Sequence, residues 1–311
     1  MSSTDTLAPS PFVIARAGVV AVERVSPTFA RITFGGDALD DFGTPGAVWD
    51  QRIKLIFPAP GRALPEIPSD DWYPAWLAIP EAERGSMRTY SIRDLVVDEA
   101  GTRLVVDFVL HLEPGLVGPA ATWASRADVG GELLIIGPRR HRPGGGGIEY
   151  EPGEARSILL AGDETAAPAI ARILEDADPA AHGTAFLEVP HAEDILPISA
   201  PPGVDVRWLV RGARAHGEVL IPAVLEHLGD DVDELAIEDV DSENPVWETP
   251  QYSGLGEPLA AGTAHSDSYF WIAGESGVVT TLRRHLVKDL GIDRSQVAFM
   301  GYWRKGVAMR G

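Results

Sequence analysis

The sequence predicts a two-part chain, an N-terminal β-barrel followed by a doubly wound, mostly parallel α/β unit, and three observations carry that reading. From residue 12 to residue 138, short β-rich runs alternate with Gly and Pro punctuation. From residue 157 onward, apolar strands alternate with helical segments. Between them, near residues 142 to 155, four consecutive glycines (Gly144 to Gly147) read as a flexible joint. The expected units are 12–143 and 154–306.

In the first unit the strands are FVIARAGVVAVERV, ARITFGG, RIKLIFP, RTYSIRDL, RLVVDFVLHL and ELLIIGP. One helix, PAATWASRA from Pro119 to Ala127, interrupts them, with Pro at a helix-opening position after Gly118. In the second unit SILLAGD leads into ETAAPAIARILEDA, and TAFLEVP follows. VRWLVRG leads into GEVLIPAVLEHL, SYFWIAG into ESGVVTTLRRHLVKDL, and QVAFMGYW closes the pattern. The run 229–268 is too long and polar for a connection, so it reads as a surface insertion dispensable for folding.

Composition narrows the function. A chain of 311 residues is long enough for two cores. The absence of cysteine excludes disulfides, thiolate-ligated iron–sulfur clusters, thiol nucleophiles and CxxC motifs, so redox chemistry requires a bound cofactor. The formal net charge of -20 argues against nucleic acid or anionic membrane as partner. No Lys or Arg occurs from Ala215 to Leu282, a stretch that reads as a solvated acidic face with a disordered loop inside it. The start lacks the basic and apolar regions of a signal peptide, and no stretch approaches the roughly 20 apolar residues of a membrane span. The expectation is a cytoplasmic monomer without stable membrane association. The histidines show no HxxxH or HxH spacing, so no protein metal site is expected.

Arg88-Thr89-Tyr90-Ser91 lies on a predicted strand and has the form R-x-Y-[ST]. A flavin needs an aromatic ring against its isoalloxazine face, a cation for its pyrophosphate or ribityl side, and a small hydroxyl near its reactive N5 edge. Alternation puts Arg88 and Tyr90 on one face of the strand and Ser91 at the edge, although a Tyr on a barrel strand also serves plain packing. The strand Asp107-Phe108-Val109-Leu110-His111 follows, then Gly118-Pro119-Ala120-Ala121-Thr122-Trp123. A Gly-Pro turn opening a helix offers free N–H groups and a positive dipole end to a pyrophosphate, and Thr122 adds a hydroxyl. Taken singly, His111 reads as a satisfied strand histidine and Trp123 as a core anchor.

The second unit has no GxGxxG. It has a strand running through Gly162-Asp163-Glu164-Thr165 into a helix, and a second copy of that geometry at Ala273-Gly274-Glu275-Ser276-Gly277. Both turns lie at carboxyl ends of strands, where nucleotide phosphates or a nicotinamide sit in open α/β sheets. The acids serve equally as helix N-terminal residues that favour the dipole. The terminal Gly301-Tyr302-Trp303-Arg304-Lys305-Gly306 reads as an anchor or as a wall of the site.

In this order the segments resemble the bacterial siderophore-interacting proteins, flavin-dependent ferric-siderophore reductases related to ferredoxin–NADP reductases. The resemblance spans roughly Arg16 to Gly306, most specifically RIKLIFP, RTYSIR, DFVLH, GPAATWA, GDETAAPAIARIL, VWE, WIAGE, LRRHL and GYWRKG. It implies an FAD-binding barrel and an NAD(P)H-binding α/β domain. FAD contacts are implied for Arg88, Thr89, Tyr90 and Ser91, for Asp107, Val109 and His111, and for Pro119, Ala120, Ala121, Thr122 and Trp123. Asp163 and Thr165 are implied near the flavin, with Trp303 at its adenine or ring side. NADH or NADPH is implied to meet Arg211, Gly274, Glu275 and Ser276, and the anionic ferric siderophore to meet Lys54, Arg304 and Arg139. The long acidic insertion departs from the family. The implied function is electron transfer from NAD(P)H through FAD to iron(III) in a siderophore, releasing iron(II). The alternatives are a flavin reductase of this fold with another acceptor and a non-catalytic siderophore-binding module.

Overall fold

The computed structural model describes residues 10–68, 71–111, 117–142, 144–230, 246–249, 252–253 and 267–306. In the first half, β1 (Phe12–Arg24), β2 (Phe29–Gly35), β3 (Arg52–Phe57), β4 (Ser86–Ser91), β5 (Asp94–Asp98), β6 (Gly101–Val109) and β7 (Glu132–Pro138) form one antiparallel sheet. Its order is β4-β3-β7-β1-β2-β6-β5. Alternation decides which side faces in: Val13, Ala15, Ala17 and Val19 of β1 are buried, while the residues between them are not.

The edge strands β4 and β5 are consecutive in the chain and joined by only Ile92 and Arg93. Two residues span about 7 Å, so the two edges must meet, and the sheet curls into a half-barrel. The Arg93 N–H donates to the Val105 carbonyl of β6 at 2.9 Å, and the Tyr90 and Phe108 rings lie 4.6 Å apart across the seam. The sequence showed one helix here, and two more are present. The helices α1 (Trp72–Ala78) and α2 (Glu81–Arg84) precede β4, and Trp76 of α1 packs on Ile56 and Met87 outside the barrel. Their mixed composition carries no apolar period long enough to announce them. The expected helix is α3 (Pro119–Ala124).

In the second half, β8 (Ser157–Gly162), β9 (His182–Val189), β10 (Gly203–Val210), β13 (Ser268–Glu275) and β14 (Val297–Trp303) are parallel. The short β11 (Trp247–Thr249) and β12 (Tyr252–Ser253) extend the sheet antiparallel at one edge. The order β10-β9-β8-β13-β14-β11-β12 reverses direction of winding between β8 and β13. Helix α4 (Ala167–Asp176) buries Ile170 and Leu174 against Ile158, Leu160 and Trp271 on one face. Helices α5 (Leu220–Leu228) and α6 (Ser276–Arg284) bury Val224, Val279 and Leu282 against Leu159, Phe270 and Ile272 on the other. This is the doubly wound arrangement.

Two expectations change. The glycine run is strapped down: the Arg52 N–H donates to the Gly147 carbonyl at 2.7 Å, and the Gln51 amide reaches the Gly146 carbonyl at 3.0 Å. Gly147 has φ +94, which residues with a side chain rarely adopt, and a Cβ there would meet the Gln51 amide at 2.4 Å and the Arg52 carbonyl at 3.1 Å, so glycine suits this close approach. The acidic run, in turn, contains β11, although most of 229–268 lies outside the described residues. Glu248 is buried and accepts from Arg283 at 2.6 and 2.9 Å, Trp247 stacks on Tyr302, and the Arg52 guanidinium lies over the Trp247 ring, 4.1 Å from its centroid. That part of the run is packed sheet, because a three-residue strand leaves no detectable period.

The two halves share a seam. Phe29 of β2 is buried in the core of the second half, and the buried Asp194 carboxylate accepts from Ser26, from the Thr28 N–H and from the Thr28 hydroxyl. Arg93 pairs with Glu175 through two bonds of 2.7 Å. Asp50 accepts from the Trp271 indole of β13 at 3.0 Å.

Candidate active site

On β4, Arg88 and Tyr90 project to the same side as their cross-strand partners Leu55 and Ile53, which belong to the barrel core. Tyr90 packs against that core, and burial raises its pKa. Arg88 is half-buried, and its guanidinium donates to the Met87 carbonyl at 2.7 Å. Among the described residues no carboxylate pairs with it, and burial lowers its pKa. Ser91 is buried and Thr89 exposed. Helix α3 lies against β3, β4 and β6. Gly118 is its N-cap and no side chain caps it, so the N–H groups of Ala120 and Ala121 are its opening donors. The Thr122 hydroxyl is turned back onto the Gly118 carbonyl at 2.9 Å, and Trp123 packs among Phe34, Phe57 and Phe108.

The second cluster sits where the winding reverses. Asp163 follows β8 and is buried; its Oδ2 accepts from the Glu275 N–H at 2.7 Å and the Trp303 indole at 2.8 Å. Its Oδ1 accepts the Thr165 N–H and hydroxyl. One carboxylate thus ties the ends of β8, β13 and β14, and burial followed by repulsion from Glu164 raises its pKa. Glu164 is 0% exposed. Its Oε1 accepts from His111 at 3.0 Å, His216 at 3.0 Å and Arg211 at 3.1 Å, and its Oε2 from Arg211 at 3.0 Å. Burial opposes its ionisation, yet these donors hold it well below the usual carboxylate range. Both imidazoles pack on Trp303, with ring centroids 5.3 and 4.8 Å away. Burial pulls the His216 pKa down and Glu164 pulls it up, with a net rise.

Several expected contacts have other occupations in this structure. Arg211 is buried between Glu164 and Glu188. Asp107 is held by Arg31 through bonds of 2.7 and 2.8 Å. Glu275 caps its own helix, accepting from the Gly277 and Val278 N–H groups, and the Ser276 hydroxyl donates to the Trp303 carbonyl. Lys54 donates to the Thr89 hydroxyl at 2.7 Å, on the opposite face of the sheet from Arg88. Arg139 pairs with Asp41 and donates to the Ser10 and Phe12 carbonyls. Sequence reasoning missed Glu188 and His216, and placed Glu164 only as one of the turn acids, without its partners. The one available signal for Glu164 was its place as the second of two carboxylates after the buried strand β8.

Comparison with known families decides what this pairing of a curled barrel with a switch-point cleft represents. Residues 18–142 match the siderophore-interacting FAD-binding domain, and residues 155–306 match the siderophore-interacting protein domain. The chain belongs to the siderophore-interacting protein family. It is 30% identical over 286 residues to the ferric vibriobactin reductase ViuB of Vibrio cholerae, covering 91% of this chain and 86% of that one. It is 29% identical to the NADPH-dependent ferric-chelate reductase of Escherichia coli, covering 92% and 91%. The crystal structure of a siderophore utilization protein from T. fusca superposes with a TM-score of 0.69 at 28% identity, covering 98% and 97%.

As a member of the siderophore-interacting protein family the chain takes FAD as cofactor and NAD(P)H as electron donor. The residues present fit FAD: Arg88 is a desolvated cation with no carboxylate among the described residues, Tyr90 lies on the same strand face, and the uncapped α3 start adjoins them. No helix among the described residues is long and apolar enough to cross a membrane.

Proposed function

We propose that the protein carries electrons from NAD(P)H through FAD to iron(III) held in a siderophore, releasing iron(II) in the cytoplasm. The observation that carries this reading is the meeting of two sites: the Arg88 and Tyr90 face of the barrel, and the switch-point cluster that the His111 to Glu164 bond joins to the end of β6. Flavin supplies the step between a two-electron donor and a one-electron acceptor. Arg88 binds its pyrophosphate or ribityl side, Tyr90 lies against its ring, and the α3 start offers N–H groups to phosphate. Asp163 holds Trp303 at the cleft, and the turns after β8 and β13 flank the place for the nicotinamide. Lys54 and Arg304 attract the anionic chelate from outside. Siderophore oxygens hold iron(II) far less tightly than iron(III), so reduction frees the metal with the chelator intact.

The test is NADH and NADPH oxidation by the purified yellow protein with a panel of ferric siderophores and iron-free acceptors. Turnover that requires a ferric chelate supports the reading. Equal turnover with free flavin assigns the protein to the flavin reductases, and a colourless protein that binds siderophore without oxidising NAD(P)H refutes it.

A further inference from the structure

Glu164 does more than neutralise Arg211. Its Oε1 is shared by two imidazoles from opposite sides of the seam, His111 after β6 and His216 after β10. A bond from each Nε2 to an ionised carboxylate fixes the hydrogen on Nε2 in the neutral rings. Each Nδ1 is then a base, and among the described residues neither Nδ1 has a hydrogen-bond partner. One buried carboxylate therefore orients two bases, and both rings lie against Trp303 at the switch point. Their side chains are 27% and 18% exposed, so both rings reach solvent.

The reaction needs such a group. One NAD(P)H and two iron(III) become NAD(P)+, two iron(II) and one proton: the hydrogen that arrives as hydride gives both electrons to iron and leaves as H+. We propose that His216 and His111, oriented by Glu164, accept that proton and pass it to solvent. The inference rests on the reductase reading above. The charged groups facing His216 are Glu164 and Asp163 from the loop after β8 and Arg211 from the end of β10; Glu188 of β9 faces Arg211 from behind, and His111 stands across Glu164. The two carboxylates outweigh the guanidinium, consistent with the net upward shift of His216.

The test compares wild type, Glu164→Gln and His216→Gln as FAD-loaded proteins. Imidazole NMR across pH reads the first consequence: the His216 titration of wild type moves to lower pH in Glu164→Gln. Stopped flow reads the second in two halves. Bleaching of the yellow colour by NAD(P)H releases no proton and changes by less than about twofold, whereas its return on adding ferric chelate at neutral pH slows about a hundredfold in His216→Gln. In wild type that second rate falls as acid protonates His216, and in Glu164→Gln this limb moves to lower pH. An unchanged His216 titration in Glu164→Gln, or an unchanged second rate in His216→Gln, overturns the inference. If NAD(P)H fails to bleach wild type, the reductase reading falls and this inference with it. His216→Gln leaves the Glu164 to Arg211 pair in place, so the test survives if Glu164→Gln does not fold.

Discussion

Replacing Gly274 by Ala tests whether the switch-point cleft is held by the Asp163 carboxylate. Gly274 has φ +140, and a Cβ there meets the Asp163 Cγ and Oδ2 at 2.7 Å. The backbone strain of that φ for a residue with a side chain is about 1–2 kcal/mol. Relieving the overlap moves a carboxylate that accepts from the Glu275 N–H, the Trp303 indole and Thr165. Losing one or two of these bonds costs about 1.5–3 kcal/mol each, which brings the total to roughly 2.5–8 kcal/mol. At about 2–4 °C per kcal/mol for larger domains, Gly274→Ala melts roughly 5–32 °C below the parent. Gly153→Ala is the control: φ is +57 and no atom lies within 4 Å of its Cβ, so only the strain remains. Calorimetry of both variants, with tryptophan fluorescence to report release of Trp303, decides the matter. A melting temperature for Gly274→Ala equal to that of Gly153→Ala refutes the argument.

Arg88→Ala lowers FAD occupancy, because a charge-assisted phosphate bond of about 1.5–3 kcal/mol is lost; flavin content equal to wild type in the purified variant removes Arg88 from the site. Glu248→Ala removes the bidentate partner of the buried Arg283 and costs about 3–5 kcal/mol, measured by urea unfolding. A Glu248→Ala midpoint equal to wild type contradicts the buried pair. Lys54→Ala raises KM for an anionic ferric siderophore and not for a neutral acceptor, and the difference shrinks above about 0.15 M salt, where the Debye length falls below about 8 Å. Equal loss toward both acceptors places Lys54 elsewhere in the mechanism.

The parts legible in sequence are those written as local period. Strands such as RIKLIFP and SILLAGD announce themselves by apolar spacing, and Gly118-Pro119 marks the α3 start. The site residues divide differently. Arg88 and Tyr90 share a face because two residues in a strand always do. The bond from His111 to Glu164 joins positions 53 residues apart across two units, and no local pattern encodes it. The glycine run shows the same limit from the other side, since a run of Gly signals freedom of the backbone without saying whether the freedom serves motion or close approach.

The placement of Phe29 bears on how the chain is made. This side chain belongs to β2, yet it is buried with Trp271 and Met300, which leave the ribosome some 240 and some 270 residues later. At about 5–20 residues per second, translation takes more than about ten seconds to bring β13 and β14 into reach. In the later part of that interval, once β7 has ended at Pro138, Phe29, with Val25 and Trp49 of the same cluster, is bare apolar surface on a barrel whose own strands are all synthesised. The nascent protein is therefore stickiest while its N-terminal half is finished and its C-terminal half is still being synthesised. Slowing translation between the two lengthens the time in which ribosome-bound chains associate.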